Sequence, residues 1–235
     1  MKRKISLIII SFLFLSIIGA CTPKTEEPKT LGKGIVVAIA ADTPAIAPAQ
    51  FNNTTGFYIV TMTHNGLFRI DADTLQPVPD LVKEWKSISN TVFEFTIHEG
   101  IKFHNDEEMT SADIIASFDY AKTFPISVNS LRSLASYEVV DKYTIRISTG
   151  FPNSMLLFDL ASHPTFIMPK SLIDSGNDFN KNPIGSGPFK ASELKPGDSY
   201  MFAAFENYFD KERAAKVESV KLRIITPGLS RKISH

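Results

Sequence analysis

The stretch from Thr91 to Lys122, "TVFEFTIHEGIKFHNDEEMTSADIIASFDYAK", leaves few folds open. Its first part sets Val92, Phe93, Phe95 and Ile97 against Glu94, Thr96 and His98, the pattern of a half-exposed strand, and runs into a turn at Gly100. In its last part Thr110 or Ser111 can cap a first helical turn, and Asp113 sits at the positive end of the helix dipole. Ile114, Ile115, Phe118 and Ala121 then make one apolar face. This last part predicts a helix.

The remaining pattern extends this mixture. "IVVAIA" over Ile35 to Ala40 is a continuous apolar run between Gly34 and "ADTPAIAP", which predicts a buried strand followed by a loop. From Thr54 to Leu67, Phe57, Val60, Met62 and Leu67 fit a helix face that Gly66 ends. "LFRIDADTLQPVPDLVKEW" reads as two extended pieces around an acidic turn, and "YEVVDKYTIRIST" as a hairpin around Asp141-Lys142. "NSMLLFDLA" and "PKSLID" predict short helices. "GPFKASELKPGDSYMFAAFENY" and "VESVKLRIIT" alternate again, with a turn at Pro196-Gly197-Asp198. Interleaved strands, hairpins and helices give the class α/β with a mixed sheet. No fixed-period repeat appears.

The two ends read differently. "MKRKISLIIISFLFLSIIGAC" has a basic start and an apolar stretch from Ile5 to Ile18, shorter than the roughly 20 residues that span a bilayer, which predicts a signal peptide over 1–20. Its end, Ile18-Gly19-Ala20-Cys21, resembles the lipobox of bacterial lipoproteins, which implies cleavage before Cys21 and lipidation of its thiol. An ordinary secretory signal is the alternative. Cys21 is the single cysteine, so an internal disulfide is impossible. Two acyl chains would hold the protein durably at the extracytoplasmic face of a membrane, in the periplasm or on the cell surface. Residues 21–33, "CTPKTEEPKTLGK", have no apolar period and predict a flexible tether, with the folded part over 34–235. Removing Lys2, Arg3 and Lys4 from the 25 basic residues leaves 22 against 25 acidic ones, a balance that argues against a nucleic-acid partner.

Five stretches resemble one family: "NGLFRIDADTLQPVPDLVKEW", "FEFTIHEGIKFHNDEEMTSADI", "NPIGSGPF", "FENYF" and "VESVKLRIIT" are similar to motifs of the family 5 extracellular solute-binding proteins of bacterial ABC importers. The resemblance covers Gly34 to about Pro227. It implies the first lobe of a type 2 periplasmic-binding-protein-like fold, with an inserted subdomain near 57–177. It also implies a second lobe, which this sequence is expected to lack. "VKLRIIT" resembles the strand that heads toward that lobe, and "PGLSRKISH" departs from the family's continuation. First-lobe strands are therefore expected to show open edges. Other departures are Asp106 where the family has Gly, which predicts a differently built turn, Ala47-Pro48 in place of Asp-Pro, and Phe209 in place of Trp.

The function that follows from the resemblance is non-enzymatic: binding an extended oligopeptide or dipeptide by strand-like hydrogen bonds for delivery to permease subunits, with no cofactor. A non-functional fragment, or a surface lipoprotein without a transport role, is the alternative. Expected ligand contacts are Asp42, Thr43, Pro44, Ala45 and Ile46 in the loop after the first strand, because in the family this segment lines the cleft, and Asn129 after Pro125. No catalytic or metal-ligating set appears. The five histidines are scattered without zinc-peptidase spacing, and His104 is expected in a turn, bonded to backbone. In "GSG" a phosphate cradle would need a helix after it, whereas "PFKASEL" reads as a strand. Gly185 and Gly187 are instead expected to supply unusual backbone angles, with Pro188 fixing the exit. Trp85 is expected to anchor packing.

Overall fold

The structure, a computed structural model, describes residues 33–225. The predicted signal segment 1–20, Cys21, nearly all of the tether and the "PGLSRKISH" tail lie outside the described residues. The described residues belong to one compact unit.

Ten strands and five α-helices build it. The first sheet has the order β1 (Gly34–Ile39), β10 (Ser219–Ile224), β9 (Ser199–Ala204), β8 (Phe189–Lys195). Here β1 runs parallel to β10 and the other pairs are antiparallel. Helix α1 (Thr54–Thr63) packs on β8, and Ile59 joins Ile39, Tyr200, Phe202 and Leu222 in a core on this sheet. A second sheet is antiparallel throughout, in the order β4 (Val82–Ser89), β5 (Val92–Ile97), β7 (Thr144–Thr149), β6 (Leu134–Val139). The pair β2 (Phe68–Ile70) and β3 (Pro77–Pro79) is the predicted extended pair around the acidic turn.

Helix α2 (Ser111–Lys122) begins where its sequence directs. Thr110 is the cap residue, and the Asp113 carboxylate accepts the Thr110 N–H at 2.7 Å and its hydroxyl at 2.9 Å. The other Asp113 oxygen accepts Lys170 N–H at 2.7 Å, tying α2 to α5 (Lys170–Asp174). Ile114, Phe118 and Ala121 are fully buried with Phe95, Ile97, Ile145 and Ile147 of the second sheet, each large side chain contributing about 1.5–3 kcal/mol. The remaining helices, α3 (Val128–Leu131) and α4 (Leu156–Asp159), are single turns.

Four expectations are corrected. The "IVVAIA" strand is not buried: Ile35, Val36 and Val37 are 39–60% exposed, because among the described residues β1 pairs only with β10 and forms the sheet edge. Gly185 and Gly187 do not have positive φ. Glycine is needed there for close approach, since a Cβ on Gly185 would lie 2.2 Å from the Thr63 carbonyl oxygen and one on Gly187 2.4 Å from that of Met62. Asp106 does not rebuild its turn; it adopts φ +66°, the left-handed conformation that suits glycine and that Asp tolerates better than most residues. Trp85 stacks on Phe95 with ring centroids 6.0 Å apart yet remains 43% exposed.

Candidate functional site

The first candidate segment, Asp42 to Ile46, is largely occupied by the protein itself. The Asp42 carboxylate accepts Gly197 N–H at 2.7 Å and the Tyr200 hydroxyl, which clamps the loop to the β8–β9 turn. Burial, and then the neighbouring Asp42 carboxylate, raise the Tyr200 pKa, so this phenol stays a donor. The hydroxyl of buried Thr43 donates to the Ala45 carbonyl at 2.6 Å. The amides of Ile46 and Ala47 donate to Asn180 Oδ1 at 2.8 and 3.0 Å. Asp42 and Pro44 are the exposed members. Asn129 is exposed on α3, which packs against the 3₁₀ turn His163–Thr165. On that turn His163 stacks on Phe51 at 4.3 Å, and Phe51 belongs with Val60 and Phe166 to a small cluster against which Ala45 packs. The loop and Asn129 thus flank one 3₁₀ turn.

Beside that turn lies a cavity of about 550 Å³, within the range of small-molecule pockets. The exposed side of α1 supplies Phe57 and Thr61, while Phe158, Phe166 and Pro188 add apolar wall. Its floor is a largely buried polar knot drawn from three of the family-like motifs, with Asp210 and Arg213 added from the stretch after "FENYF". Ser186 donates to Asn65 Oδ1 at 3.1 Å, and Asn65 Nδ2 donates to Asp80 Oδ2 at 2.9 Å and to the Tyr208 oxygen at 3.2 Å. The Arg213 guanidinium donates to Asp80 Oδ1 at 2.5 Å and to Asp210 at 2.6 Å. Burial and the Asp80 charge push the Tyr208 phenol up to about 12. Asp80 and Asp210 hold Arg213 charged against its partial burial.

Two histidines flank the glycine segment. The Thr63 hydroxyl donates to the Ile59 carbonyl at 2.9 Å, so at its 2.9 Å contact with His64 Nδ1 it must accept. His64 therefore carries its proton on Nδ1 and presents a bare lone pair at Nε2, a buried atom without a partner among the described residues. Complete burial lowers its pKa to about 3, with His104 a smaller cause. His104 is bonded to backbone as expected: Nε2 donates to the Gly187 carbonyl at 3.0 Å and Nδ1 accepts Gly185 N–H at 3.4 Å. Burial lowers it to about 4.

The sequence reading missed Arg69, Asp80, His64 and Arg213 as cavity residues. The available signal was Asp80 itself, a charge set between Pro79 and Leu81 in an apolar stretch. Among the described residues no group of three His, Cys, Asp or Glu is placed to hold a metal ion, and no helix is long and apolar enough to cross a membrane.

A mixed α/β lobe with one sheet carried by the chain's first and last described strands is the architecture of periplasmic binding proteins. The chain belongs to the bacterial extracellular solute-binding proteins, family 5, whose middle region matches residues 76–232. It is 24% identical over 229 residues to the glutathione-binding protein GsiB of Salmonella paratyphi A, covering 94% of this chain and 44% of that one. The fold is shared with the binding protein AgaA from A. tumefaciens R10, solved with agropinic acid, at a TM-score of 0.77 and 22% identity, over 86% of this chain and 41% of that one. It is shared equally with the ABC transporter-associated periplasmic binding protein DppA from Helicobacter pylori, solved with the peptide STSA, at a TM-score of 0.77 and 22% identity, over 86% and 44% of the two chains. The chain thus spans under half the length of the relatives it matches.

Proposed function

We propose that this chain is the ligand-meeting first lobe of a substrate-binding lipoprotein that serves an ABC importer, taking peptides or peptide-like acids and passing them to permease subunits. The observation that carries the reading is the cavity beside α1, walled by aromatic rings and floored by fixed polar groups on a fold of this family. The names of its relatives, which bind glutathione, agropinic acid and a peptide, support the same ligand range. Asp42 to Ile46 and Asn129 would extend contact along the two sides of the His163–Thr165 turn. Cys21 would carry the lipid.

Thermal unfolding of the purified chain with glutathione, dipeptides and the tetrapeptide STSA tests the binding. A ligand at 100 times its Kd should add about 2.7 kcal/mol, or roughly 5–10 °C for a unit of this size. An unchanged melting temperature across the panel would remove the proposal. For the anchor, Cys21→Ser should move the protein from the membrane fraction to the soluble one.

A further inference from the structure

The cavity lining carries two guanidinium groups, Arg69 and Arg213, against one carboxylate, Asp80. Their situations differ. Arg213 has its charge met by two carboxylates, Asp80 and Asp210, and both Asp80 oxygens are taken, by Arg213 and by Asn65. No free carboxylate among the described lining residues is left to receive an amine. Arg69 has only Asp71, at 3.7 Å, beyond hydrogen-bond distance. Asp71 accepts the Thr74 N–H at 3.0 Å and its hydroxyl at 2.8 Å, both on Oδ1, and its Oδ2 stands off Arg69 at that 3.7 Å. Arg69 Nε is buried without a partner. A buried N–H left unmade is costly, and a guanidinium edge offers two parallel N–H groups that match a carboxylate.

From this we infer that Arg69 receives the carboxylate of a small organic acid whose apolar part lies against Phe57, Phe158 and Phe166. The inference deepens the binding reading above and rests on it. A cation is disfavoured because the acidic groups are already paired. A neutral apolar ligand would leave Arg69 Nε as it is.

The test uses the full chain and two probes that differ in one group, N-acetyl-L-phenylalanine and its neutral C-terminal amide, with binding measured by calorimetry. The acid should bind at least tenfold more tightly than the amide. In Arg69→Met that preference should vanish with the melting temperature nearly unchanged. In Phe57→Ala both probes should weaken together and the preference should remain, which separates charge recognition from general damage. Equal affinities in the native chain, binding of neither probe, or a preference that survives Arg69→Met would each overturn the inference. A peptide panel that stabilises the chain while the probe pair shows no preference would remove only this assignment. Failure of both would remove the binding reading as well.

Discussion

Lowering the pH from 7 to 4.5 should take about 5 kcal/mol from the stability of the folded unit through His64 and His104 alone. Both are buried and their folded pKa values, about 3 and about 4, lie below the ordinary 6.5. A histidine of this kind stays neutral in the fold while the unfolded chain binds a proton. Its contribution is therefore complete above about pH 6.5 and is lost as the pH falls toward the folded value. A buried neutral histidine loses about 1.4 kcal/mol per pH unit below its unfolded pKa, so each gives up roughly 2–3 kcal/mol across this window. Burial also lowers His163, which adds in the same direction. The carboxylates with lowered values, such as Glu94 beside Lys86 and Arg146, lose their contribution only below the ordinary carboxylate range, so they act mainly at more acid pH. A total of about 5 kcal/mol is comparable to the whole stability of many domains, so the chain should approach unfolding near pH 4.5. Urea denaturation followed by Trp85 fluorescence at half-unit intervals measures this directly. The slope of stability against pH between 6 and 4.5 should approach two protons, and His104→Gln, which can keep the donor to Gly187, should remove about one. A flat profile, or an unchanged slope in His104→Gln, would refute the assignment of buried neutral imidazoles.

Other substitutions test the packing. Gly187→Ala should cost more than about 3 kcal/mol, because the added methyl meets the Met62 and Thr63 backbone at 2.4 and 2.5 Å, where no rotamer change helps; a loss under 1 kcal/mol in urea would contradict it. Asp80→Asn should cost about 3 kcal/mol by removing the more buried of the two carboxylates that pair with Arg213; an unchanged melting temperature would show the pair to be inessential. Leu75→Gly should instead stabilise by about 0.5–1 kcal/mol, because Leu75 holds φ +57° while its side chain is two-thirds exposed; calorimetry showing a lower melting temperature would count against strain there.

Most of the local elements were legible because their signals are local. Thr110, Asp113 and the Ile114-Phe118-Ala121 face fix α2 without outside help, and Pro196-Gly197-Asp198 marks its own hairpin. What sequence alone could not convey was which partner covers what. The run Ile35–Ala40 has the composition of a buried strand, and only the sheet order shows it to be an edge. The Gly185 and Gly187 signal was read as a demand on φ, whereas its cause is the end of α1, more than a hundred residues earlier. The cavity was hidden for the same reason. Asn65, Asp80, Ser186 and Arg213 meet only through tertiary contact, and of the four only Asp80, a charge in an apolar stretch, stands out in its own segment.

The pairing of β1 with β10 also sets a clock. Gly34 lies opposite Ser219, so β1 finds its only described sheet neighbour after about 185 further residues have been made. At synthesis rates of about 5–20 residues per second that delay is about 10–40 s. Throughout it, Ile35, Val36, Val37 and Ile39 form a strand-competent apolar segment with neither edge paired. The second sheet and α2 depend on no residue beyond Thr149 for their strand pairing and can assemble during that interval. Among the described strands, the first one made is among the last to be placed, and it stays unpaired until β10 emerges.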